Sequence, residues 1–385
     1  MTWSWPVCLR SCVPTWKSWI IKPHKFNIYT QKKTLINNSN FIIVGHGIAG
    51  ALLGYCLEQA GQSCRYFDAP DQVAATSVAA GIINPITGRR FVKSWRIEAL
   101  LPAAQQIYRQ LEVELGIHFY HERPLLRTLF NRGEENDWQA RSLDMDYASY
   151  FHAPPDLGSI PLITAPAFSY LEVAQAAQVH IGQLVAALRL RREQAGLYHA
   201  ETFDFAALET RADGIGYRQF TADQIVFCEG WHSRANPYFN YLPFGGNKGE
   251  VLLIRLPEAK LEQILKHRLF LVPYTEDLYW VGSTSENQFT TAEPTTAGGE
   301  YLRGRLAELL TTPYEIIDHR AAIRPTVRDR RPFLGTHPTH SRVHIFNGLG
   351  TKGASLAPYW ATHLADHLIA GTPLDPEVDI KRFGH

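Results

Sequence analysis

Three glycines, Gly45, Gly47 and Gly50, stand at the spacing G-x-G-x-x-G inside the run "FIIVGHGIAGALLGYC". The chemistry this spacing suits is the holding of a pyrophosphate. The first glycine permits a tight turn, the second lets the backbone approach the phosphates, and the third lets a helix pack closely on a strand. At the start of that helix, around Ile48 and Ala49, free N–H groups and the positive end of the helix dipole face the anion. Asp68 lies 23 positions after Gly45, where a carboxylate can accept from ribose hydroxyls. His46, at a variable position of the loop, reads as packing. A second dense stretch, "AAIRPTVRDRRPFLG" at 321–335, holds four arginines and one aspartate. It has three readings: a nucleic-acid patch, a solvated charged face, or a site for one particular anion.

The elements around these residues are legible in part. "FIIV" is a β-branched run that reads as a buried strand, "ALLGYCLEQAG" as a helix stopping at Gly61, and "SCRYFD" as a second strand. This β-turn-α-β unit predicts a parallel sheet. Residues 94–117 predict a helix with a break near Pro102, and 171–190 predict another amphipathic helix. "ETFDFAAL", "GIGYRQF" and "QIVFCEG" read as short strands. "EVLLIRL", "RLFLVPY" and "DLYWVGS", within 250–282, read as an antiparallel sheet. From 343, strand, glycine loop and helix return. The fold class expected is therefore α/β (α+β overall): a Rossmann-like domain interleaved with a smaller domain built on an antiparallel sheet.

Composition limits the partners. The 385 residues are 45% hydrophobic and 19% charged with a formal net charge of +1, which allows a large core and argues against a generalised basic surface. A basic run at 189–193, "RLRRE", reads as the solvated face of a helix end, so nucleic acid is not the expected partner. Five cysteines show neither metal-ligand pairing nor a disulfide framework, which fits a reducing, cytoplasmic setting. The longest apolar stretch is shorter than the roughly 18 residues of a membrane-spanning helix. Residues 1–39, tryptophan-rich and free of acidic side chains, read as a poorly ordered extension.

Six motifs in order give a family resemblance covering roughly residues 40–380. After the second strand comes "TSVAAGIINP", then "QIVFCEGWHS", "NKGEVLLI", "YWVGSTSE", the arginine-rich segment, and the closing loop "NGLGTKGASLAP". Together they resemble the FAD-dependent oxidoreductases of the D-amino-acid oxidase, glycine oxidase and sarcosine oxidase family. The resemblance implies non-covalent FAD, since no cysteine follows Cys228 to carry a flavin link. It implies a dinucleotide cradle of Gly45, Gly47, Ile48, Ala49, Gly50, Asp68, Ser77, Ala80, Gly81, Gly230, Gly348, Gly350, Thr351, Lys352 and Gly353. It also implies an FAD-binding domain made of 40–93, 171–235 and 321–385, and a substrate domain made of 94–170 and 236–320.

The same resemblance answers the arginine question. In the family, the arginine before the first proline of that segment pairs with a substrate carboxylate, and here it is Arg324. A planar guanidinium grips a carboxylate with two parallel hydrogen bonds. Lys352 would put positive charge near the flavin pyrimidine end. Tyr274, Tyr279 and Trp280 are pocket or core. The implied activity is oxidation of the C–N bond of a small-molecule amino acid or N-substituted glycine by hydride transfer to flavin N5. Two alternatives remain at this stage: removal of a carboxymethyl group from a modified tRNA base, and flavin binding without turnover.

Overall fold

The computed structural model describes residues 37–257 and 260–384. The expected 1–39 extension therefore falls, up to residue 36, outside the described residues, while Asn38 and Ser39 begin the first strand. That strand, β1 (Asn38–Val44), leads through the glycine turn into α1 (Ile48–Gln59) and then β2 (Cys64–Asp68). Phe41, Ile42, Ile43 and Val44 are all at most 3% exposed. Both faces of β1 are thus covered, as a continuous apolar run in a parallel sheet requires.

Five parallel strands form the centre of the first sheet, in the order Tyr198–Ala200, β2, β1, Phe220–Phe227, Val343–Asn347. The Phe220–Phe227 strand is long enough to take two partners on one edge. Its first half pairs antiparallel with Ile215–Tyr217 and its second half pairs parallel with Val343–Asn347. The second sheet, also eight-stranded, runs from Glu315–Val327 through Phe244–Arg255, Leu278–Gly282 and Phe270–Pro273 outward. It is antiparallel except where Ile264–Lys266 runs beside Leu125–Leu129. The α/β class with a parallel dinucleotide-type sheet and an antiparallel second sheet is as expected.

Three local expectations differ. Residues 171–190 do not form one helix: Ser169–Val173 and Ala177–Val179 are strands, and the helix is Ile181–Gln194. Leu171 and Val173 point inward at a period of two, and Gln175 turns the chain with φ 57°, which a helix cannot accommodate. The Ile97–Leu115 helix continues through Pro102. Proline removes one hydrogen bond there, while Ala104, Tyr108 and Leu111 beyond it are fully buried and hold the helix in place. "ETFDFAAL" yields a short 3₁₀ turn and only the Leu208–Thr210 strand.

The "RLRRE" run is a solvated face only in part: Leu190, Arg191 and Glu193 are exposed, while Arg189 and Arg192 turn inward. Arg192 is 2% exposed and donates to Glu58, to the Ala51 carbonyl and to His46 Nε2. Arg189 pairs with Asp68 at 3.0 Å. Helical spacing places these two side chains, three apart, on one face, and that face looks at the glycine turn.

Candidate active site

The glycine turn is built by close approach. Gly45 has φ 94°, and a Cβ there would lie 2.5 Å from the Cys228 carbonyl oxygen. At Gly50 a Cβ would lie 2.0 Å from the Gly45 carbonyl oxygen, so the first turn of α1 can sit on the loop only with hydrogen in that place. Asp68 holds the loop from the other side: it accepts from His46 N at 2.9 Å, Arg189 Nη2 at 3.0 Å and the Tyr198 hydroxyl at 3.0 Å. A carboxylate has about four acceptor positions, so room for one further donor such as a ribose hydroxyl remains.

Behind the loop, His46 is 1% exposed and packs edge-on against Tyr66 and Tyr198. Burial, then the Arg192 and Arg189 charges, hold its imidazole well below the usual range. An arginine can only donate, so Nε2 of the neutral ring is the acceptor. The packing role expected of His46 is what the geometry supports, with Arg192 as its unforeseen anchor.

A cavity of about 1040 Å³ runs along this loop. Of the residues singled out from the sequence, Gly45, Gly47, Ile48, Ala49, Asp68, Ser77, Ala80, Gly81, Gly230, Gly350, Thr351, Lys352, Gly353 and Arg324 line it. Gly50 and Gly348 do not: Gly50 packs on the Gly45 backbone and Gly348 against the Val327 side chain. A Cβ on Gly348 would lie 2.5 Å from Val327 Cγ2. Trp280 lines the cavity and donates its indole N–H to the Val78 carbonyl at 2.8 Å. Tyr279 is core, and Tyr274 lies outside the main cavity.

The closing loop carries Lys352 at the start of the Gly353–Ala370 helix. Its Nζ donates to Ser94 Oγ at 3.1 Å. Burial, then the charges of Arg330 and Arg331, lower its pKa from the ordinary lysine value. Residues 349–355 thus present a helix N-terminus and an ammonium to one cavity, an arrangement suited to a delocalised anion.

Arg324 sits on the Glu315–Val327 strand directly opposite Asn247. It donates to Asn247 Oδ1 at 2.5 Å and to Ser283 Oγ at 2.6 Å, with the Thr284 carbonyl 3.4 Å from both terminal nitrogens. Among the described residues no carboxylate lies within ion-pairing distance of it. Partial burial lowers its pKa from the ordinary arginine value, as expected for a charge with reduced access to water and no counter-ion. Of the other charges of its segment, Asp329 pairs with Arg382 at 2.8 Å, Arg331 lies over Trp95 and reaches Glu377 at 3.4 Å, and Arg328 and Arg330 are exposed.

Two lining residues escaped sequence reasoning. Glu229 follows Cys228 at the end of the Phe220–Phe227 strand and accepts from Asn236 Nδ2 at 2.7 Å and Ser233 Oγ at 3.2 Å. Burial pushes its carboxyl up to about 7 in spite of these donors. An acid inside the strand-and-glycine element was the available signal. Asn247 gave none, because its importance depends on its partner across the strand pair.

A parallel βαβ unit with this loop, a cavity spanning both sheets and a cationic helix start at its far side define a dinucleotide-dependent oxidoreductase. Residues 40–367 match the family described as FAD dependent oxidoreductase (DAO), and the chain belongs to it. It is similar to the glycine oxidase of Geobacillus kaustophilus, 25% identical over 354 residues that cover 84% of this chain and 91% of that protein. It is similar, also at 25% identity, to the glycine oxidase of Bacillus licheniformis, with 87% and 94% covered. The crystal structure of the Geobacillus kaustophilus enzyme superposes with a TM-score of 0.75 at 22% identity, covering 88% of this chain and 97% of that one. The protein is an FAD-dependent oxidoreductase. No helix among the described residues is long and apolar enough to cross a membrane.

Proposed function

We propose that the protein oxidises the C–N bond of a small amino acid or N-substituted glycine whose carboxylate is held by Arg324. The observation that carries this reading is a half-buried guanidinium lining the cavity with only neutral protein partners. Bound FAD supplies the hydride acceptor, flavin N5. The residues fit that cofactor: Gly45 and Gly50 leave no room for side chains, Asp68 retains one acceptor position, and Lys352 offers its charge at the closing loop.

Around Arg324 the lining is neutral or apolar: Gly249, Val251, Trp280, Ser283 and Ala322. An ammonium group would find no carboxylate partner among them, so the amine is bound neutral and no side-chain base is assigned. Phe270 and Trp280 add apolar surface to the same cavity. The dinucleotide portion in this reading comprises 40–93, 171–235 and 321–385, and the substrate portion 94–170 and 236–320. The strand Glu315–Val327 passes from one to the other and brings Arg324 to their boundary. Unpaired Cys56, Cys64 and Cys228 favour a cytoplasmic setting.

The test is anaerobic bleaching of the flavin by glycine, sarcosine, proline and D-amino acids. One of these should reduce it. Arg324→Gln should then raise KM some 30- to 150-fold, the loss of a charge-assisted pair of about 2–3 kcal/mol. A flavin that no amine or amino acid bleaches overturns the proposal.

A further inference from the structure

Asn247 is at the centre of the contacts that hold Arg324, and it is an amide where a carboxylate of the same shape would also fit. The orientation of that amide follows from its partners. Arg324 can only donate, so Asn247 presents Oδ1 to Nη1 at 2.5 Å. Its Nδ2 donates both hydrogens, to Ser285 Oγ at 3.0 Å and to Asn287 Oδ1 at 2.9 Å. The residue is 8% exposed, and all of its donors and one acceptor site are used. On the other side Ser283 Oγ accepts from Nη2 at 2.6 Å, again without charge. Beneath the guanidinium lies Gly249, where a Cβ would fall 2.0 Å from Nη2, so the strand surface is open for the group to lie on.

The guanidinium is therefore immobilised by neutral acceptors while its charge is left uncancelled. A carboxylate at 247 would hold it equally well and neutralise it, because burial strengthens the pair and leaves little attraction for an incoming anion. We infer that Asn247 is a specificity-determining residue. By supplying a neutral acceptor it leaves the Arg324 charge uncancelled and selects substrates that bear a carboxylate over those that bear none. This rests on the proposed reading of Arg324 as the carboxylate anchor. It deepens that reading by assigning the choice between amino acids and plain amines to one uncharged side chain.

The experiment uses the flavin-loaded full chain and acetate as probe, with binding followed by perturbation of the flavin absorbance. Asn247→Asp should weaken acetate binding at least a hundredfold, and Asn247→Ala, which preserves the charge, less than tenfold. The ratio of kcat/KM for sarcosine over that for a carboxylate-free secondary amine should fall by at least a hundredfold in Asn247→Asp and less than tenfold in Asn247→Ala. Ser283→Asp brings a carboxylate to Nη2 instead and should show the same discrimination, which covers the case in which Asn247→Asp does not retain flavin. Equal weakening in Asn247→Asp and Asn247→Ala would overturn the inference and reduce Asn247 to a shape-filling residue. Arg324→Gln separates the two levels: if it leaves acetate binding unchanged, the anchor reading itself fails, whatever the Asn247 variants do.

Discussion

Replacing Glu229 by glutamine should make the protein more stable, and only at higher pH. The carboxyl is held on a turn at the end of a central strand, with Ser233 and Asn236, both fully buried, donating to the same oxygen. Burial nevertheless raises its pKa from 4.5 to about 7. Below about pH 4.5 the group is protonated in both the folded and the unfolded chain and costs nothing. Between pH 4.5 and 7 the unfolded chain releases its proton while the folded one retains it, so stability falls as pH rises. Above 7 the full deficit is present. At 1.36 kcal/mol per pH unit, the raised value corresponds to a deficit of up to about 3 kcal/mol. Glutamine keeps the acceptor for Asn236 and does not titrate. Urea unfolding of the flavin-saturated protein, followed by tryptophan fluorescence, should give nearly equal stabilities for parent and variant at pH 5. At pH 8 the variant should gain up to that amount. Two curves separated by a constant difference from pH 5 to 8 would refute the reasoning, because the carboxyl would then be ionised in the folded protein throughout.

Arg192→Met removes the buried donor from the Ala51 carbonyl and from Glu58, which is 29% exposed and keeps the Tyr66 hydroxyl as a donor, and should destabilise the fold by about 1.5–3 kcal/mol in the same urea assay. A change under 1 kcal/mol would mean that the guanidinium is solvated. Lys352→Met removes a charge from the helix start beside the flavin cavity and should lower the flavin midpoint potential by about 30 mV, equivalent to roughly 1.4 kcal/mol. An unchanged potential in a spectroelectrochemical titration would place the ammonium too far from the flavin to matter.

The parts of this site that were legible in the sequence are those made by short-range geometry. A strand, a glycine turn and a helix lie next to one another in the chain, so the spacing of Gly45, Gly47 and Gly50 carries the pyrophosphate reading directly. The closing loop and the Arg324 segment were found through ordered motifs, since nothing in their own periodicity says what they face. Arg192 was misread for a physical reason: a basic run on a helix has the same appearance whether it meets water or a buried glutamate, and only the packing of that helix against α1 decides. The 171–190 segment shows the same limit, because Leu171 and Val173 satisfy a helical or a strand pattern over so short a span. Asn247 was the least visible of all, since its meaning comes from a register that pairs it with a residue 77 positions away.

The cradle described here is assembled from chain segments far apart in order: residues 45–49 and 77–81, Gly230, and 349–355. During synthesis the glycine turn therefore leaves the ribosome some 300 residues before the loop that closes the same cavity. Until the Val343–Asn347 strand docks beside Phe220–Phe227, the parallel sheet lacks an edge and the cofactor lacks one side of its site. Tight flavin retention is thus a late event in the life of each molecule, and a chain interrupted before residue 350, which also lacks the Gly353–Ala370 helix of the main core, should be colourless.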